Sequence, residues 1–217
     1  MRTIIETADS GHRPALLIAL LSGSYSEPED FVREGFPAAV RAQGIDAEVV
    51  MAETRASWFA DGSIVRRIRD SVVLPARARG HSRIWLAGIS LGGLAALGYA
   101  ARHEGEIDGI VLISPYPATR EVLREMQAAG GLGDWKPVIP PEGDLEREAW
   151  LWLATSRAGR APVHCYFTSG DRFASGQRRM AQALDPGRVR ELPGGHDWPA
   201  WRALWDEFLR ESRGSLQ

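Results

Sequence analysis

Strand-length apolar runs alternate with helical patterns along most of this 217-residue chain, and that alternation constrains the fold more than any other feature. The apolar runs fall at 15–21, 47–51, 83–87, 109–113, 163–168 and 189–192. Helical spacing fills the gaps at 29–43, 64–78, 90–103, 119–129 and 176–184, and follows the last run at 198–210. The first of these carries Phe31, Val32, Phe36, Ala39 and Val40 on one side, and Pro75 is expected to kink the second. Strands separated by helices build a mostly parallel sheet with helices on both faces, because each crossover must traverse the sheet. Thr3-Ile4-Ile5-Glu6 reads as an additional edge strand. A chain of 217 residues supports one sizeable core, so a single α/β domain over 1–217 is expected. The stretch at about 116–161 is longer than an ordinary connection. It holds Gly130-Gly131-Leu132-Gly133-Asp134, Pro137, Pro140-Pro141 and a helical pattern at 145–155, and reads as a small cap or loop excursion.

Ligands of such sheets bind at the carboxyl ends of the strands. There the third long run, Arg83-Ile84-Trp85-Leu86-Ala87, leads into Gly88-Ile89-Ser90-Leu91-Gly92 and then into a helix rich in small residues, Gly93 to Ala101. A G-x-S-x-G pentapeptide between strand and helix is the nucleophile-elbow arrangement. The sharp turn strains the serine backbone, and flanking glycines remove Cβ atoms that would clash. Ser90 is therefore the candidate nucleophile.

A serine hydroxyl needs a general base, and the base needs an orienting partner. Of the five histidines, His12 and His81 lie in polar connections and are expected to face solvent. His103 closes a helix and His164 opens a strand. His196 lies in Pro193-Gly194-Gly195-His196-Asp197-Trp198, between the last strand and the last helix, where glycines let the loop bend towards the strand ends. It is the candidate base. Asp171, in Thr168-Ser169-Gly170-Asp171-Arg172-Phe173, occupies the corresponding loop after the fifth strand, whereas the turn after the fourth, Ser114-Pro115-Tyr116-Pro117, has no carboxylate. Asp197 competes as the acid, but its place directly before a helix suits an N-cap.

The order Ser90, Asp171, His196 is the chain order of α/β-hydrolases. With the Gly-Gly-His-Asp-Trp ending followed by Trp201, the chain resembles the small serine esterases and carboxylesterases of that superfamily, from about residue 15 to the final helix. The resemblance implies Ser90 as nucleophile, Asp171 as acid and His196 as base. It also implies a central sheet of about eight strands, reduced here to six or seven by a shortened N-terminus. One oxyanion donor is expected to be the backbone N–H of Leu91. The second is expected from Leu21-Ser22-Gly23-Ser24-Tyr25, as the N–H of Ser24 or, second, of Tyr25. Many relatives have His-Gly where this chain has Ser22-Gly23.

Composition excludes other classes. Lys and Arg total 26 against 28 Asp and Glu, a net charge of −2, with no nucleic-acid footprint. Cys165 is the sole cysteine, which excludes an internal disulfide and C-x-x-C chemistry, and its apolar setting reads as packing. No run is long enough to span a membrane. Glu6 and Asp9 precede the apolar run at 15–21, which argues against a secretion signal, so a cytoplasmic protein is expected. The mechanism calls for no cofactor and no metal.

Eight Trp residues are present. Trp150, Trp152, Trp201 and Trp205 are expected to bury helix faces, while Tyr25, Tyr116, Phe173 and Trp198 are candidates to line a substrate pocket. The favoured reading is a serine hydrolase acting on a small or medium carboxylic ester through an acyl-enzyme. A thioesterase or amidase would use the same triad. A non-catalytic ligand-binding member of the fold, or a cofactor-independent oxygenase or lyase on the scaffold, are readings from other classes.

Overall fold

The computed structural model describes residues 1–7, 12–137, 143–155 and 160–216. Among these, seven strands form one sheet: β1 (Thr3–Glu6), β2 (Leu16–Leu21), β3 (Ala47–Ala52), β4 (Arg83–Ile89), β5 (Gly109–Ile113), β6 (Val163–Thr168) and β7 (Val189–Leu192). The spatial order is β1-β3-β2-β4-β5-β6-β7. β1 runs antiparallel to β3 at one edge, and every other pair is parallel. All six expected runs and the extra edge strand are therefore present.

Side-chain alternation along the strands feeds two cores. In β2, Leu17, Ala19 and Leu21 point to one face, where they meet the helices that follow β3 and β4. Leu16, Ile18 and Leu20 point to the other, onto α1 (Pro28–Arg33), α2 (Phe36–Ala42) and α10 (Trp198–Leu216). In β4, Ile84 and Leu86 face the first group while Trp85, Ala87 and Ile89 face the second. Both faces are covered, so the parallel strands read as continuous apolar runs rather than as an alternating pattern.

Three helical expectations are corrected. The pattern at 29–43 is two helices, broken where Gly35 turns left-handed at φ 76°. The pattern at 64–78 is one helical rod of three parts, α4 (Ile64–Ile68), a π-helical turn (Arg69–Val73) and α5 (Leu74–Ala78). The wide turn precedes Pro75, which has no N–H to donate and a ring that crowds the preceding turn. A short helix not expected, α3 (Ala56–Ala60), follows β3.

The remaining helices are α6 (Leu91–Arg102), α7 (Arg120–Ala128), α8 (Leu145–Ala154) and α9 (Ala174–Gln182). α7 and α8 lie within the expected excursion at 116–161, whereas Pro140-Pro141 lie outside the described residues. α8 packs on α6 where Gly98 faces Leu145. Among the described residues no helix is long and apolar enough to cross a membrane.

Two further readings turn on burial. Cys165 is fully buried, as expected, and burial pushes its thiol pKa up to about 12. His81 is not solvent-facing: it is buried, with Nδ1 on the Pro14 carbonyl at 2.9 Å and Nε2 at 3.1 Å from Glu48 Oε1. Its polar sequence neighbours conceal that the ring bridges two segments. Trp150 and Trp205 are buried to within 1% and Trp201 is buried at 8%, while Trp152 packs against the first core half-buried.

Candidate active site

Ser90 lies between β4 and α6 with φ 51° and ψ −114°, a conformation that L-residues adopt only under constraint. The constraint is local and backbone-based. Ser90 N–H donates to the Ile113 carbonyl at 3.1 Å, and the Ser90 carbonyl accepts from Tyr116 N–H at 2.8 Å. The flanking glycines are required for space: a Cβ on Gly88 would overlap the Gly92 backbone, and one on Gly92 would overlap the carbonyls at the end of β2. The elbow is thus pressed between the carboxyl ends of β2 and β5.

The loops after β6 and β7 are tied to each other. Ser169 N–H donates to Leu192 O at 2.8 Å, Gly170 N–H to Gly194 O at 3.0 Å, and Thr168 Oγ1 to Gly195 O at 2.8 Å. A Cβ at Gly170 would stand 2.6 Å from the Gly194 oxygen, so only glycine permits this approach. The pairing brings His196 and Asp171 together. His196 Nδ1 lies 2.7 Å from Asp171 Oδ2, and Nε2 lies 3.0 Å from Ser90 Oγ. A carboxylate only accepts, so Nδ1 carries the proton and Nε2 is left to accept from the serine hydroxyl. Phe173 and Trp201 hold the ring edge-to-face, at centroid distances of 5.3 and 5.1 Å.

Asp171 is buried, which by itself would raise its pKa. Hydrogen bonds from His196, from Gln177 Nε2 at 2.9 Å to Oδ2 and from Phe173 N–H at 2.8 Å to Oδ1 outweigh burial, and the net shift is downward. Gln177 also reaches the Pro115 carbonyl at 3.1 Å. It was absent from the sequence-derived set, although a signal exists: Ala174, Gln177 and Met180 form the buried stripe of α9, and a Gln at such a position needs a partner. Asp197 is the N-cap it was expected to be, accepting from Ala200 N–H at 3.0 Å.

The loop after β2 carries the other expected donor. Ser22 is fully buried, and its Oγ accepts from Thr54 N–H at 2.9 Å while Thr54 Oγ1 donates to the Ser22 carbonyl. That clamp places Gly23 against the serine, where an added Cβ would sit 3.5 Å from Ser90 Cβ. The backbone N–H groups of Leu91 and Ser24 have no acceptor among the described residues.

A cavity of about 360 Å³ opens over Ser90. Ser24, Tyr25, Leu91, Tyr116 and Phe173 line it, with Phe59, Glu146 and Arg172. Tyr25 stands at the rim, 97% exposed. Trp198 is not part of this wall: it packs edge-on against Phe31, Phe36 and Trp201 on the other side of the sheet. The first turn of α10 directs it into the second core. Among the described residues no cluster of His, Cys, Asp and Glu could hold a metal ion.

The sequence family described as "Putative esterase" matches residues 73–211, more than half of the chain. The chain belongs to this family. A comparison with curated protein sequences finds no match. Solved structures share the fold at low identity. A ferulic acid esterase is 15% identical with a TM-score of 0.65, over 98% of this chain and 98% of the other. An S-formylglutathione hydrolase from Staphylococcus aureus is 14% identical with a TM-score of 0.63, over 93% and 82%. The esterase domain of a Rhodothermus marinus protein is 17% identical with a TM-score of 0.65, over 97% and 91%. This esterase-family chain has the α/β-hydrolase fold, with its mostly parallel sheet.

Proposed function

We propose that the protein hydrolyses small or medium carboxylic esters through an acyl-enzyme on Ser90. The observation that carries this reading is the hydrogen-bonded line Ser90 Oγ, His196, Asp171, at 3.0 and 2.7 Å, beneath an open cavity. Ser90 Oγ attacks the ester carbonyl while His196 Nε2 takes its proton. The oxyanion of the tetrahedral intermediate is received by the free N–H groups of Leu91 and Ser24. Collapse breaks the bond to the alcohol oxygen, and His196 delivers the proton to it, leaving Ser90 acylated. Water then enters, gives its proton to His196 and attacks the acyl carbon. A second collapse releases the carboxylic acid and returns the proton to Ser90. Asp171 stays ionised throughout and stabilises the imidazolium, with Gln177 and the Phe173 amide holding its two oxygens.

The cavity supports small to medium substrates, since its roughly 360 Å³ is at the lower end for ligand sites of about 300–1,000 Å³. The test is a panel of p-nitrophenyl esters of increasing chain length beside acyl thioesters, for wild type and Ser90→Ala. Ester turnover that is lost in Ser90→Ala supports the reading. Thioester turnover alone would reassign the leaving group, and turnover surviving in Ser90→Ala would remove Ser90 from the chemistry.

A further inference from the structure

Next to the catalytic cavity lies a second depression of about 370 Å³, which shares Tyr116, Arg172 and Phe173 with it. Pro117 and Leu123 contribute an apolar floor, and Arg120 stands on the wall with Arg172. Among the described residues that line it there is no carboxylate. Neither guanidinium has a hydrogen-bond or ion-pair partner among the described residues. Arg172 rests over the Phe173 ring, 4.8 Å from its centroid, and that ring in turn packs on His196. Neighbouring arginines are engaged: Arg147 with Glu125 and Asp144, Arg102 with Glu148, Arg178 with Glu191.

The carboxylate that lines the adjoining catalytic cavity is Glu146, on α8. Its Oε2 is held by Thr119 N–H at 2.8 Å. Glu146 thus stands beside the arginine wall, lining the same cavity as Arg172 and bonded to the residue before Arg120, with its carboxylate engaged by that backbone N–H.

The geometry points to an anion subsite in which Arg120 and Arg172 bind a carboxylate or phosphate carried by the ester substrate, beside the bond that Ser90 attacks. Planar guanidinium forks match both oxyanions, and two of them over an apolar floor bind an anion that also presents a hydrocarbon body. This deepens the esterase reading and rests on it.

Three charged probes with neutral partners test it. p-Nitrophenyl succinate, with its carboxylate on the acyl side, is compared with its methyl ester. 4-Carboxyphenyl butyrate and 4-phosphonooxyphenyl butyrate, charged on the leaving group, are compared with 4-methoxycarbonylphenyl butyrate. Each is measured with wild type, Arg120→Gln, Arg172→Gln, the double variant and the Arg→Lys pair.

The expected result is that at least one charged probe is favoured by about tenfold in kcat/KM, mainly through KM. Each Gln substitution should reduce that preference, the double variant should abolish it and Lys should restore part of it. The side and chemistry of the favoured probe identify the source of the anion. Equal or better turnover of every neutral partner, or a preference that survives the double substitution, overturns the subsite while leaving the esterase reading intact. Failure to hydrolyse any probe, together with an unreactive Ser90, overturns both.

Discussion

At Ser90 the positive φ of 51° is kept in place by groups that have no side-chain chemistry: the Ile113 carbonyl, the Tyr116 amide and two glycines. The chemical members of the site depend on this backbone, and each residue has a distinct expected effect. Asp171→Asn should lower kcat by about 10⁴-fold, because the one amide oxygen is needed by the Phe173 N–H and the NH2 group then faces Nδ1, which favours the wrong tautomer. Gln177→Leu should be milder. Losing one hydrogen bond to a charged acceptor costs roughly 1.5–3 kcal/mol, or about 10- to 150-fold in kcat. KM should stay near its wild-type value, since Gln177 touches Asp171 and Pro115 and does not line the cavity. A rise in KM with unchanged kcat would assign it to substrate binding instead. That Ser90, Asp171 and His196 meet was legible in the sequence, because each is a chemical type at a strand end. Gln177 was legible only as a polar residue on the apolar stripe of α9; its partner, Asp171, appears only when α9 is folded against the loops after β5 and β6. Trp198 was misassigned because proximity to His196 in sequence does not determine which face of α10 a side chain takes.

The strands were the most legible elements, since a sheet covered on both faces needs unbroken apolar runs, and those runs stand out from the polar connections. The helices were legible in position and not in detail. Gly35 and the π-helical turn before Pro75 are local backbone events inside patterns that look continuous. α3 is only five residues long, too short to show a helical period. Close packing of elements sets two predictions. Gly88→Ala should cost at least about 4 kcal/mol, roughly 10 °C in Tm, because the Cβ would meet backbone that cannot retreat. Gly98→Ala faces the Leu145 side chain instead, with Cγ at 2.7 Å and Cδ2 at 2.9 Å. Overpacking of about 1–3 kcal/mol is partly offset by about 1 kcal/mol of helix propensity, so a small net loss is expected. Leu145→Ala should then cost less in the Gly98→Ala background than in wild type, as measured by chemical denaturation. Additive losses would show that α6 and α8 do not meet through this pair.

For the molecule as a whole, His164 links stability to pH. Burial, and then Arg188, lower its pKa from 6.5 to about 4, and Trp85, Tyr166 and Phe208 surround the ring. The unfolded chain binds a proton that the folded chain refuses. This contribution to stability is complete above pH 6.5, declines as pH falls towards about 4, and changes no further below that. In urea denaturation across that window, wild type should lose stability more steeply than His164→Phe; parallel curves would show that His164 is protonated equally in both states. The assembly of distant loops has a single central consequence for the proposed mechanism, a serine at the carboxyl end of the central strand β4 hydrogen-bonded to a histidine 106 positions further along the chain, which in turn bonds Asp171. The most direct test is the intact mass of the folded protein after exposure to a fluorophosphonate, with peptide mapping of the adduct. One phosphonyl group on Ser90, absent from Ser90→Ala and strongly slowed in His196→Ala, is the expected result. An unmodified protein, or a label on any other residue, would contradict the account.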